Sequence, residues 1–452
     1  MSAGEILSIA MFATLVVALF SGFPVAYVIG GTGLLFGALG WSVDYFSLIE
    51  FFNLIPRIWG QAAENLIMVA IPCFIFMGVM LERSRIAEDL LDVLAILLAR
   101  VPGGLALAVT MLGGIMAATT GIVGASVIMM TLMALPVMMR HGYDKGFATG
   151  TIASSATLGI LLPPSIMLVI MGDLLSISVG RLFLAAVFPG LLLLALYALY
   201  VVVFAWLRPG HAPSVCSNET SAISGKELFI RCCKAIVAPS VLIILVLGSI
   251  FGGFATPTEA AGVGAFGSII LAMCTGRLNR EMLADVCKTS SLTVGMIFML
   301  MIGATVFSYV FRSLGGEALI IDALTGMGLG AWGTLAILMV VVFLLGFFFD
   351  WIEITLIILP IFGPIVSGLD FGGHVRSSEV VYWFAILMAV NMQTSFLTPP
   401  FGMALFFVKG AAPKMVRMED LYRGAIPFIL LQLVGLAMIM VWPVIALGLQ
   451  RP

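Results

Sequence analysis

Two stretches of this sequence set consecutive prolines inside long apolar segments, Leu162-Pro163-Pro164 and Thr398-Pro399-Pro400. A proline removes a backbone donor and pushes the residue before it out of the α region, so a helix should be interrupted at each. The freed carbonyls then need partners. Polar residues stand close by: Ser154, Ser155 and Thr157 before the first break, and Asn391, Gln393, Thr394, Ser395 and Thr398 before the second. Hydroxyls and unpaired carbonyl oxygens suit a hard monovalent cation, whereas the N-terminus of a restarted helix suits an anion. A second pair of polar clusters, AATTGIVGAS at 117–126 and GFFFDWIEI at 346–354, lies at the centres of long apolar out-and-back segments. Each reads as a hairpin tip, where glycine permits a tight turn that presents carbonyls. In the second tip, Asp350 and Glu353 add negative charge. Carboxylates within a membrane default to a functional reading, but Asp-x-x-Glu is equally a helix start with its own cap, and both readings stay open.

The elements that hold these residues must be membrane spans. Of 452 residues, 62% are hydrophobic and only 10% are charged, against roughly a quarter charged in a soluble domain. Crossing a hydrocarbon core takes about 20 apolar helical residues. Uncharged runs at 6–43, 182–207, 380–408 and 424–450 exceed that. The first run lacks the basic start and short apolar region of a cleavable signal, so it is expected to be retained. A net charge of -2 without any basic run offers nothing to nucleic acid, and no G-x-x-x-x-G-K-[ST] loop is present to cradle ATP. Six cysteines without a C-x-x-C pair, and three histidines (His141, His211, His374) in polar connections, lack the spacing of a metal or disulfide site. With no histidine inside a span, an intramembrane enzyme is disfavoured and no cofactor is expected. A passive channel would not need paired broken helices.

The chain also repeats itself. The double prolines lie 236 residues apart, and similar offsets join Pro136 to Pro360, Asp144 to Asp370, Gly22-Phe23 to Gly253-Phe254 and Pro189 to Pro427, in the same order. Between the copies runs a polar segment, which gives repeats at 1–208 and 228–452 joined by a linker at 209–227. Each repeat reads as two spans, an amphipathic connector, a third span, an out-and-back segment, a proline-broken span and a final span. Counting the out-and-back segment as zero net crossings leaves five, and an odd number turns the second copy upside down. With the N-terminus outside, 16 of the 21 basic residues fall on the cytoplasmic side and 5 outside, as the positive-inside rule requires. Both termini are then outside and the linker is cytoplasmic, where the Asn218-Glu219-Thr220 glycosylation pattern is idle. The segment 101–139 would open from the cytoplasm and 323–369 from outside; charge does not decide whether they cross or stop midway.

Other features read as structural. Thr256-Pro257-Thr258-Glu259 is a capping box at a span's start. Arg57 and Glu64 lie in the connector 44–64, while Arg277, Arg280 and Glu281 lie in its inverted counterpart; both read as helices along the membrane interface. Gly33 and Gly37 form a helix-packing G-x-x-x-G.

Taken together, ATTGIVGAS, RHGYD at 140–144, GILLPPS at 159–165, TPTEAAGVGA at 256–265, DWIEI at 350–354 and TSFLTPPFG at 394–402 resemble the large membrane subunit of the tripartite ATP-independent periplasmic (TRAP) transporters, over essentially the whole chain. The resemblance implies an all-α polytopic fold of inverted repeats with two re-entrant hairpins and two broken helices, working as an elevator-type carrier in the bacterial inner membrane. It implies sodium coupling, uptake of small organic acids such as dicarboxylates, a small membrane subunit as a separate chain, and a periplasmic substrate-binding protein. Carried over by position, Thr119, Thr120, Gly121, Ser155, Thr157 and Gly159 would form one cation site. Gly346, Asp350, Thr394 and Thr398 would form the other, with substrate near Ser165, Asn391 and Gln393. The first tip reads ATTGI where many relatives carry serine-glycine-serine. Hydroxyls and carbonyls without a titratable group favour sodium at the first site; Asp350 and Glu353 keep proton coupling open at the second.

Overall fold

The computed structural model describes residues 2–120, 123–214, 233–399 and 402–450, and among these there are helices and turns but no strand. Two long helices open the chain, α1 (Ala3–Leu19) and α2 (Val25–Ser42). The amphipathic α3 (Leu48–Ala62), α4 (Ala70–Arg83), and a short α5 (Ile86–Leu97) follow. A hairpin of α6 (Gly104–Thr120) and α7 (Val123–Arg140) leads to an interrupted pair, α8 (Lys145–Thr157) and α9 (Ile166–Leu174), and then to the 29-residue α10 (Val179–Leu207). The order then recurs in α11 (Ala238–Phe251), α12 (Pro257–Cys274), α13 (Arg280–Ser313), the short α14 (Gly316–Gly326), and a hairpin of α15 (Gly330–Leu345) and α16 (Trp351–Ser367). A second interrupted pair, α17 (Val380–Leu397) and α18 (Met403–Ala411), precedes α19 (Met418–Val441) and a terminal turn, α20 (Val444–Leu447).

Among the described residues eight helices are long and apolar enough to cross a membrane. Their outer faces fit a lipid solvent, since large apolar side chains stand bare: Trp206 of α10 is 79% and Phe266 of α12 65% exposed. The interrupted helices are the opposite case. Every residue of α8 from Gly146 to Thr157 is buried, and so is nearly all of α17. Irregular backbone at membrane depth is tolerated when protein surrounds it, and at 158–165 it does.

Contacts between the two series are reciprocal. Helix α2 packs on α13 and α4 on α12; α7 packs on α18 and α16 on α9; α8 packs on α19 and α10 on α17. Exchanging the series maps contact onto contact, which is what a two-fold relation between halves produces. Glycines permit the closest of these approaches. A methyl group on Gly424 would lie 1.9 Å from the Gly146 carbonyl oxygen, and one on Gly150 would lie 2.1 Å from that of Gly424. The α8–α19 seam is therefore backbone against backbone. Gly33, read as packing, does abut Phe307 of α13, and Gly37 abuts Phe51 and Val310.

Three expectations need correcting. The second connector is not a separate helix: Arg280 and Glu281 begin α13, which runs unbroken for 34 residues, about 51 Å at 1.5 Å per residue. Its first-half counterpart does stop, because Asn65 accepts a bond from the Ile67 amide at 3.0 Å and starts a new turn after α3. Ala323 belongs to α14 rather than to the second hairpin, which starts at Gly330. The start of the linker is also packed, since the Ala212 carbonyl accepts from the Gly103 amide at 3.0 Å and that of His211 from the Asp144 amide at 2.9 Å. Residues 215–227 of the linker lie outside the described residues. The Thr256–Glu259 capping box forms as read, with the Thr256 amide donating to Glu259 at 2.8 Å.

Candidate functional site

Asp144 starts the first interrupted helix by accepting from the Phe147 amide at 2.9 Å. Along α8 the hydroxyls turn back on their own helix: Thr151 donates to the Phe147 carbonyl at 2.8 Å, Ser154 to Gly150 at 2.8 Å and Thr157 to Ser154 at 2.8 Å. A hydroxyl that donates this way keeps its lone pairs for another partner, such as a cation. The α-helix ends at Thr157, a 3₁₀ turn spans Leu158–Ile160, and α9 restarts at Ile166 beyond Pro163 and Pro164. Ser165 closes the break by donating to the Ile160 carbonyl at 2.5 Å. Ser155 is different. Its hydroxyl is fully buried and bonds to no described group, and its backbone is covered by Gly113 of α6, where a methyl would come within 2.6 Å.

The second break is built similarly from α17. Thr394 donates to the Val390 carbonyl at 3.0 Å, Ser395 to Met392 at 2.8 Å and Thr398 to Thr394 at 2.7 Å. Asn391 reaches sideways to the Met339 carbonyl at 2.7 Å and so fastens α17 to α15. Gln393 is fully buried with neither amide atom bonded. Beyond Thr398 and Pro399 the chain passes through Gly402, whose φ of +35° few side chains tolerate, and enters α18. The hairpin tip presses on this region at Gly346, where a methyl would sit 1.9 Å from the Ser395 hydroxyl. Both hairpins therefore pack against an interrupted helix, the first through Gly113 of α6 and the second through Gly346. Asp350 caps α16, accepting from the Trp351 amide at 2.8 Å while its own amide donates to Glu353 at 3.3 Å. The capping reading of Asp-x-x-Glu is thus realised. Nearby Trp351 Nε1 and Thr355 Oγ1 are buried without partners.

Thr119 and Thr120 form the last residues of α6, at the first tip. Gly121 and Pro400 lie outside the described residues. The fold brings Ser155 against the first hairpin and Ser395 against the second, while Ser165 and Asn391 spend their side-chain donors on backbone carbonyls. Gln393 is the predicted substrate residue that retains free hydrogen-bonding capacity in the protein interior. Gly113, Trp351 and Thr355 were not singled out in the sequence; the Gly113-Gly114 pair inside an apolar helix was a usable signal for close packing.

A polar cleft of about 690 Å³ lies between α3, the end of α9, α13 and α16, and its walls include Arg57, Gln61, Asp173, Ser308, Tyr309 and Arg312. None of the residues assigned by sequence to cation or substrate binding lines it. Gln61 and Asn65 donate to the two oxygens of Asp173 at 2.8 and 2.6 Å and so tie α3 to the end of α9.

An all-helical membrane protein with paired interrupted helices, each met by a hairpin and each holding unbonded polar groups in its interior, is a carrier in class. The family model of the tripartite ATP-independent periplasmic transporter, DctM component, matches residues 12–445, and the chain belongs to that family. It is a subunit of a secondary transporter and not an enzyme. It is 30% identical over 398 residues to the C4-dicarboxylate TRAP transporter large permease protein DctM of Pseudomonas aeruginosa, covering 86% of this chain and 88% of that one. The ectoine TRAP transporter large permease protein TeaC of Halomonas elongata is 25% identical, with 97% of this chain and 98% of that one covered. The isethionate TRAP transporter permease protein DctMQ of Oleidesulfovibrio alaskensis is 28% identical over 91% of this chain, which spans 61% of its length. Among solved structures, the YdaH transporter of Alcanivorax borkumensis shares the fold, with a TM-score of 0.59 at 15% identity over 88% of each chain.

Proposed function

We propose that this chain is the translocating subunit of a sodium-coupled importer of small organic acids in the bacterial inner membrane. It would take substrate from a periplasmic binding protein and work beside a small membrane subunit made as a separate chain. The two repeats would be inverted, with both termini periplasmic, and the interrupted helices with their hairpins would move as an elevator.

One observation supports this reading above the others: the helix before each break holds a fully buried polar group with no partner among the described residues, the Ser155 hydroxyl in α8 and the Gln393 amide in α17. Such groups are costly unless something binds them. The hydroxyls of Thr157, Thr394 and Thr398 donate within their own helices and keep lone pairs for a cation, and at the first break hydroxyls and carbonyls without a titratable group suit sodium. The relatives' names span C4-dicarboxylate, ectoine and isethionate, so dicarboxylates are one candidate within the organic acids. Asp350 and Glu353 at the second tip favour a second reading, proton coupling through that tip.

The test is uptake into proteoliposomes holding this chain, its small subunit and its binding protein, with an inward sodium gradient, an inward proton gradient, or neither. Uptake that requires sodium and the binding protein, and falls in Thr398→Ala, is expected. Uptake driven by the proton gradient alone would overturn sodium coupling in favour of the second tip's carboxylates.

A further inference from the structure

We infer that the polar cleft beside α3 is an anion-binding antechamber, in which the guanidinium of Arg57 holds a small carboxylate before it reaches the interrupted helices. This rests on the proposed organic-acid carrier and adds a site to it. The cleft runs along α16 from Ser367 to Leu356, and along α13 from Arg312 to Met301. Eleven residue steps of helix make it about 16 Å deep at 1.5 Å per residue, directed toward the hairpin tip.

Its charges are not equivalent. Arg312 is occupied by Glu317 at 3.1 Å and by the carbonyl oxygen of Pro360. Asp173 has both carboxylate oxygens bonded by the amides of Gln61 and Asn65. Arg57 makes no hydrogen bond or ion pair with any described residue; it lies over the Tyr309 ring, 4.4 Å from the centroid. Stacking on an aromatic face leaves the planar N–H fork of a guanidinium free at its edge, which is the geometry that receives a carboxylate through two parallel bonds. Ser308 lies one residue before Tyr309 on the same wall, and its hydroxyl has no described partner. The cleft thus offers one uncommitted cation and one hydroxyl, while its lining acid, Asp173, is turned onto the Gln61 and Asn65 amides. A dicarboxylate or another small organic anion fits the free guanidinium fork.

The test uses the full chain in nanodiscs with a reporter cysteine at Thr305→Cys on the cleft wall, and Ser308→Cys as a second reporter should the first fail to fold. An anionic and a cationic methanethiosulfonate are compared by mass spectrometry of the reporter peptide, normalised to Ser21→Cys on an exposed loop. The expected result is an anionic preference of about tenfold, the low end of what a charged cleft gives. That preference should vanish in Arg57→Gln and persist in Arg57→Lys, and millimolar succinate, but not mannitol, should slow labelling only when Arg57 is present. A ratio equal to that at Ser21→Cys, or one unchanged by Arg57→Gln, would overturn the assignment. Labelling needs neither sodium nor partner subunits, so its failure is distinguishable from a failure of coupled uptake.

Discussion

The two interrupted helices carry the same proline pair but close differently. The first takes residues 158–165, opens with a 3₁₀ turn, ends on a Ser165 bond and is buried throughout. The second takes only residues 398–402, leaves Thr398 half-buried and recovers its helix through a left-handed glycine. The hairpins meet them differently too. Gly113 faces the Ser155 backbone, whereas Gly346 faces only the Ser395 side chain at close range. One junction is set by main chain and cannot give; the other is set by a removable hydroxymethyl group. The first break is built as a fixed seat and the second as an adjustable one.

The sharpest way to break that comparison is to add methyl groups. Gly424→Ala should be the most damaging, because its methyl meets only Gly146 backbone; we expect loss of folded protein by size-exclusion chromatography. Gly113→Ala should follow, with thermal stability lowered by about 1–3 kcal/mol as for overpacking. Trimming Ser155 to glycine should not rescue it, because the Ser155 carbonyl oxygen, 2.6 Å away, remains. Gly346→Ala should cost a similar amount alone but recover its melting temperature and uptake in combination with Ser395→Gly. Equal rescue at both junctions would erase the distinction.

A smaller effect separates the cation assignments. Thr157→Ala and Thr398→Ala each remove one hydroxyl, and each is expected to raise the sodium concentration for half-maximal uptake about tenfold, or about 1.4 kcal/mol. A rise in one variant only would leave a single break binding sodium. The smallest effect belongs to the start of the long α13. Arg83 pairs with Asp285 at 3.0 Å, and both side chains are more than two-fifths exposed. Arg83→Ala should change stability by less than about 1 kcal/mol, and less still in high salt. Arg277, held by two bonds to Asp89 at 2.8 and 3.0 Å and one to the Ser84 carbonyl at 2.7 Å, is the firmer tie on that side.

Much of the architecture was legible in the residues because membrane folds obey coarse rules. Uncharged runs longer than about 20 residues must span, and consecutive prolines must interrupt a helix whatever surrounds them. The Thr256–Glu259 box needed only local spacing and formed as read. Where Thr394 and Thr398 donate is also local, since each bonds within its own helix. The continuity of α13 was not legible, because a helix continues or stops at 289–293 according to whether anything nearby caps it, and hydroxyl residues permit both.

Composition and spacing by themselves determined that the chain is helical, spans the membrane and carries two proline-broken helices. Tertiary structure decided which broken-helix polar groups are spent on carbonyls and which, like Ser155 and Gln393, are left unbonded. It also turned Arg57 from an interfacial charge into the uncommitted cation of a cleft, by placing Tyr309 beneath it and Asp173 under amide caps. The physical reason is range: a proline acts on its own backbone, whereas the partner of a half-buried polar group can come from a helix more than a hundred residues away, as Gln61 does for Asp173.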